Sequence, residues 1–248
     1  MISIQEDTMS FEPCPRGRGF DRQGAELDAS RRVYEILANR EKEMGRPIAR
    51  QEEDALIEEM VRSQRESYER ELFASRLETI PLRYRNQTFS DYVCQNDRDR
   101  AIVKHMASGR SGILHGTNGT GKTMLAFCAI RKQWEAGRYA QYILAADYFD
   151  LIRSSFNGGD PLKILRDFTE YDYLVVDEID KKHGSQTEFV YLYRLINDRY
   201  NEMKPTVLIS NSNRKDLETV IGISAFSRVA GEGKIIEFIG DDYRKKRS

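Results

Sequence analysis

The run Gly116-Thr117-Asn118-Gly119-Thr120-Gly121-Lys122-Thr123 constrains this chain more than any other stretch. Its spacing is GxxxxGK[ST]. It follows a short β-like run, Ile113-Leu114-His115, and opens a helical pattern from about Lys122 to Glu135 that Gly137 closes. A strand, a glycine-rich turn and a helix in that order give the spacing its physical meaning. The glycines let successive backbone N–H groups point into one concavity, and the helix N-terminus adds partial positive charge. Such a loop is built to hold phosphate. Lys122 would reach the β- and γ-phosphates as a point charge, and the Thr123 hydroxyl would ligate Mg²⁺.

A second segment supports the first. Tyr173-Leu174-Val175-Val176-Asp177-Glu178 is a buried-strand run ending in two carboxylates. Asp177 is placed to hold Mg²⁺ through water. Glu178, read as the next residue of the strand, would point to the opposite face and polarise a water as general base. A further strand, Thr206–Ser210, ends in Asn211, which could hydrogen-bond the γ-phosphate and the attacking water. Asn is also a common residue at the end of a strand. Arg228 could neutralise charge on a γ-phosphate across a subunit interface; it also reads as a surface arginine on a short helix.

Charge divides the chain near residue 80. Residues 1–80 hold 13 basic and 18 acidic side chains, whereas residues 81–248 hold 26 basic and 22 acidic. The net charge is −1, which excludes a globally basic nucleic-acid coat. Cys14, Cys94 and Cys128 are too scattered for a zinc site or a disulfide framework. No apolar run approaches the ~18 residues of a membrane span. The first ten residues include Glu6 and Asp7, unlike a signal peptide, so a cytoplasmic protein is expected.

The acidic part has its own pattern. Residues 1–24, with Pro13, Pro15 and three glycines, read as disordered. Residues 25–44 read as a helix stopped by Gly45 and Pro47. A second helix over 51–77 carries Leu56, Ile57, Met60, Val61, Tyr68, Leu72 and Phe73 at three- and four-residue steps. The pair forms either a hairpin folded on itself or on the main domain, or a docking surface for a partner protein. In the later part, a strand over Gln141–Ala146 leads to a helix near Asp147–Ser155. Phe156-Asn157-Gly158-Gly159 follows, then a helix start at Asp160-Pro161.

These segments together resemble AAA+ ATPases of the DnaC type, within the IstB/DnaC-like P-loop family. That family includes the bacterial and phage loaders of replicative helicases. The likeness covers roughly residues 80–248 and rests on IPLRYRNQTFSDY (80–92), GTNGTGKT, LVVDEID, ISNSN, the Ser227-Arg228 helix and the ending FIGDDYR (238–244). It implies an α/β fold with a five-stranded parallel sheet in order 5-1-4-3-2, a small α-helical N-terminal domain and no C-terminal lid. It implies ATP with Mg²⁺ in a site completed by a neighbouring subunit. Asn211 becomes the sensor-1 residue and Arg228 the arginine finger. One departure stands out: related loaders often carry a second arginine about four residues before the finger, where this chain has Ser224.

The resemblance also implies single-stranded DNA as a ligand. Phe156 would stack on a base. Lys181, Lys182 and His183 would meet phosphates, and Ser185 would add a hydrogen bond. Residues 25–79 would grip the replicative hexameric helicase, and residues 80–248 would form the ATPase domain. Copies would self-associate in a helicase-bound spiral. The alternative within the same family is an IstB-like transposition helper acting on duplex DNA.

Overall fold

The computed structural model describes residues 22–44, 50–181, 185–240, 242 and 243. The chain separates into two compact units, with the division between Thr79 and Ile80. Residues 1–21, most of the stretch expected to be disordered, lie outside the described residues. Residues 22–24 do not fit that expectation, because the first helix already includes them.

The first unit is a pair of packed helices, α1 (Arg22–Met44) and α2 (Arg50–Glu78). Ala29, Val33 and Leu37 of α1 recur every fourth residue and are buried, so they form one stripe. All seven apolar residues of the expected α2 stripe are half-buried, while most of their charged neighbours are exposed. Gln64 Nε2 donates to Asp28 Oδ2 at 3.2 Å, a polar contact between the two helices.

The second unit is a parallel sheet covered on both faces. It opens with α3 (Leu82–Arg85), a 3-10 turn at Phe89–Asp91 and α4 (Asp97–Ala107). Then follow β1 (Gly112–Gly116), α5 (Lys122–Glu135), β2 (Ala140–Leu144), α6 (Ala145–Ser155), α7 (Pro161–Thr169) and β3 (Tyr173–Asp177). The remaining elements are α8 (Gln186–Asn201), β4 (Thr206–Ile209), α9 (Arg214–Ile221), α10 (Ile223–Glu232) and β5 (Lys234–Phe238). The strand order is β2-β3-β4-β1-β5, the expected 5-1-4-3-2 arrangement. All pairings are parallel, with Ile113 opposite Leu208 and Ile235.

The central strands read as near-continuous apolar runs because both faces are covered. Every residue of β3 and β4 is buried. On one face, Ile113, Ile143, Leu174, Val176 and Leu208 pack against residues of α6 to α10; α5 packs on β2 and β3, and α4 packs on α5. The strand expected over Gln141–Ala146 ends two residues early. Ala145 and Ala146 instead start α6, where alanine is the best helix former. Pro161 occupies the first turn of α7, capped by Asp160, whose side chain accepts from Leu162 N–H.

Arg199 of α8 closes the end of the sheet remote from the loop. It has no exposed surface. Its guanidinium donates to the carbonyls of Phe168, Thr169, Tyr171 and Pro205 and to Thr206 Oγ1, at 2.7–3.1 Å. It thereby satisfies chain ends converging from α7, β3 and β4. Burial lowers its pKa to about 9. Among the described residues, no helix is long and apolar enough to cross a membrane.

Candidate active site

The phosphate loop leaves β1 at Gly116 and enters α5 at Lys122. Gly116, Gly119 and Gly121 have φ of 115°, 74° and 95°, the left-handed half of backbone space that glycine enters without a Cβ penalty. Lys122 is buried, and its ammonium donates to the carbonyls of Gly116 at 2.8 Å and Thr117 at 2.7 Å. The lysine is thus held over the loop that it serves. Thr120 Oγ1 donates to Thr117 O at 2.8 Å and braces the turn.

Two segments 54 residues apart meet here. Thr123 Oγ1 donates to Asp177 Oδ2 at 2.8 Å. The Tyr142 hydroxyl on β2 donates to the same oxygen at 2.9 Å. The other oxygen, Oδ1, accepts from Glu178 N–H at 2.7 Å. Burial pushes the Asp177 carboxyl up, while these three donors pull it down. Burial also lifts the Tyr142 phenol well above its usual range, with the Asp177 charge adding to it. The Thr123 hydroxyl and Asp177 carboxylate are hard oxygen donors side by side, a set that fits Mg²⁺.

Glu178 departs from the strand reading. The strand ends at Asp177, and Glu178 has φ 57°. A non-glycine residue in this region is uncommon. The turn, rather than strand alternation, therefore aims its side chain. Lys181 Nζ lies 2.7 Å from Glu178 Oε2, and this hydrogen bond raises the lysine pKa.

Asn211 follows β4, which lies between β3 and β1. Its N–H donates to Asp180 Oδ1 at 3.2 Å, and Ser212 Oγ donates to Asp180 Oδ2 at 3.2 Å. Ile179 N–H donates to Ile209 O at 3.1 Å. The loop after β3 and the tip of β4 are therefore joined. Lys122, Thr123, Asp177, Glu178 and Asn211 all line one cavity of 410 Å³.

A family profile described as IstB-like ATP binding protein matches residues 49–248. The chain belongs to this family. Among relatives of the IstB-like chain is the replicative helicase loader DnaC of Buchnera aphidicola subsp. Baizongia pistaciae. It is 27% identical over 178 residues, covering 66% of this chain and 71% of that one. DnaC of Escherichia coli K12 is 28% identical, covering 55% and 57%. A crystal structure of the DnaC helicase loader matches with TM-score 0.56 and 21% identity, covering 64% of this chain and 100% of that one. AMPPCP-bound DnaA from Aquifex aeolicus matches with TM-score 0.57 and 21% identity over 67% of this chain. The match spans about half, 55%, of that DnaA chain. These solved structures share the AAA+ fold with the IstB-like chain.

The other residues singled out from sequence lie elsewhere. Arg228, on α10, is absent from the lining of the nucleotide cavity and borders a separate 200 Å³ cavity with Ser111 and Thr206. Its guanidinium sits 5.5 Å from the Tyr193 ring centroid and 5.9 Å from that of Tyr200. It also donates to Ser224 Oγ at 3.0 Å. The serine that departs from the family pattern thus helps hold the arginine. Phe156 caps α6, is half exposed, and meets Tyr191 edge-on at 6.1 Å. Lys181 is paired with Glu178. Lys182 and His183 lie outside the described residues. Ser185 serves as the N-cap of α8: its hydroxyl accepts from Glu188 N–H, and Glu188 accepts from Ser185 N–H, both at 3.2 Å.

Several residues that shape this site were not picked out as site residues from sequence. Tyr142 carried no motif of its own, and Asp180 ends the LVVDEID run without having been given a role. Tyr84 and Tyr92 line the cavity and come from the 80–92 segment, which sequence marked as distinctive without giving it a role; Val93, just after it, lines the cavity too. Arg131 of α5 anchors that segment by donating to the carbonyls of Arg85 and Gln87. Tyr84 stacks on Phe127 at 5.2 Å, and Phe127 lies 4.3 Å from Tyr142.

Proposed function

We propose that this protein is an ATP-dependent loader of a replicative hexameric helicase onto single-stranded DNA. The observation that carries the ATPase part is the 2.8 Å hydrogen bond between Thr123 and Asp177. It draws the phosphate loop and the carboxylate segment to one cavity, shared with Glu178 and Asn211. The loader part is supported by the relatives that carry the name DnaC.

ATP would place its phosphates on the N–H groups of residues 116–123, with Lys122 facing the β- and γ-phosphates. Mg²⁺ would be held by Thr123 directly and Asp177 through water, and would neutralise charge on the phosphates. Glu178 takes a proton from the attacking water, and Asn211 orients that water against the γ-phosphate. Arg228 lies off this cavity, so it acts on the site of a neighbouring copy. Residues 25–79 dock the helicase. Phe156, Lys181, Lys182 and Ser185 would contact single-stranded DNA, where stacking needs no sequence readout.

The test is affinity capture with the full chain under ATP and Mg²⁺, against Lys122→Ala and a chain lacking residues 1–79. Recovery of a hexameric helicase by the wild type, lost on removing residues 1–79, supports the reading. Recovery of a transposase, with duplex rather than single-stranded DNA, would replace it with the IstB-like transposition helper. DNA affinity that ignores ATP would remove the switch.

A further inference from the structure

The chain beyond β5 turns back over the phosphate loop. Thr117 N–H donates to Phe238 O at 3.0 Å. A Cβ placed on Gly116 would lie 2.2 Å from that same carbonyl. Further on, Tyr243 N–H donates to Gly119 O at 3.0 Å. The Asp242 carboxylate fills the space that a side chain on Gly119 would need, with Oδ1 1.7 Å from the Cβ position. The later segment therefore lies directly on two of the loop's glycines and excludes a side chain from either.

Neighbouring contacts hold this segment in place. Arg98 of α4 donates to Glu237 O. Gln95 Nε2 donates to the Tyr243 hydroxyl at 3.4 Å. Tyr243 and Tyr92 both line the nucleotide cavity, and both also line a second cavity of 190 Å³ with Ile239 and Gly240. The Tyr92 ring lies over Gly121, 2.8 Å from where its Cβ would be. With the phosphates on the loop, the cavity wall made by Tyr92, Val93 and Tyr243 is left for the nucleoside. Aromatic faces bind a base by stacking whatever its sequence identity.

We propose that Tyr243 is a nucleoside-contacting residue, and that the segment carrying Phe238, Asp242 and Tyr243 is a strap that retains ATP in its own subunit. This rests on the ATP reading of the cavity and adds a part to it. Tyr243 holds the nucleoside by its ring. Asp242, a carboxylate lying on a loop made for anions, opposes the phosphates, so the strap contains one retaining contact and one repelling contact.

The test uses the full-length protein with mant-ATP and Mg²⁺, reading equilibrium binding and the dissociation rate by stopped-flow fluorescence. Tyr243→Ala should dissociate about tenfold faster, as loss of a stacked ring does, with the association rate little changed. Tyr243→Phe should behave as the wild type, because the ring does the holding. Asp242→Asn should tighten binding severalfold. Wild-type dissociation from a folded Tyr243→Ala protein would overturn the proposal. So would equal losses in Tyr243→Ala and Tyr243→Phe, or weaker binding by Asp242→Asn. A wild-type chain that binds no mant-ATP would instead sink the ATP reading beneath it.

Discussion

Tyr142 and Thr123 donate to the same oxygen of Asp177, one from β2 and the other from α5, at 2.9 and 2.8 Å. The carboxylate is therefore positioned by a strand that contains no recognised motif. Tyr142→Phe removes one donor and leaves the ring against Phe127. A hydrogen bond to a charged group contributes about 1.5–3 kcal/mol. The expected result is a roughly tenfold or larger rise in the Mg²⁺ concentration needed for half-maximal mant-ATP binding. Metal-free mant-ATP binding should stay nearly constant. An unchanged Mg²⁺ titration would show that Tyr142 only fills space.

Arg228 and Lys122 belong to different cavities, so their losses should complement. Lys122→Ala and Arg228→Ala proteins should each lose most of the proposed ATPase activity. Mixed in equal amounts they should recover part of it, because some interfaces pair an intact Lys122 site with an intact Arg228. Two inactive proteins that stay inactive together would place Arg228 outside the reaction.

Arg199 should matter for folding and not for nucleotide. Arg199→Met keeps much of the volume but leaves the carbonyls of Phe168, Thr169, Tyr171 and Pro205 without this donor. Breaking such a buried set costs about 3 kcal/mol or more. For a unit of this size the melting temperature should fall by about 6–12 °C. Calorimetry checks the fall, and mant-ATP affinity below the transition should match the wild type.

Two buried histidines give the fold a pH limit. Burial lowers the pKa of both His105 and His115. Ser111 O opposes this at His105, where Lys234 and Arg110 add to it. Glu237 opposes it at His115, where Arg214, Lys122 and Arg98 add to it. A histidine whose folded pKa is depressed binds its proton more readily when unfolded. Its contribution is complete above the unfolded value of about 6.5 and is lost as pH falls below it. Each can contribute a slope of up to about 1.4 kcal/mol per pH unit. Melting temperatures at pH 8, 7, 6 and 5.5 should be flat and then fall. The double variant His105→Gln, His115→Gln should flatten the acid limb whatever its absolute stability.

Much of the architecture was legible because parallel strands buried on both faces must be apolar throughout. Residues 173–177 and 206–209 announce themselves in that way, and the phosphate loop fixes the strand before it and the helix after it. Local rules also located the Asp160-Pro161 helix start. Where they failed, tertiary geometry had intervened. Glu178 follows four strand residues and an aspartate, yet a left-handed turn sets its direction. Tyr142 looks like an ordinary strand tyrosine until β2 is set beside β3. Arg199 looks like a surface charge at the end of a helix, and only the convergence of α7, β3 and β4 makes it a buried tie.

Asp180 binds the tip of β4 through Asn211 and Ser212. The next residue, Asn213, caps α9, and Arg214 at its start lies 5.5 Å over the Phe226 ring on α10, two residues before Arg228. Each subunit thus has an unbroken bracket between the carboxylates that would sense its own nucleotide and the guanidinium it would lend to the next. If copies stack as proposed, a disturbance at one end of this bracket would reach the other through the packing of a single chain.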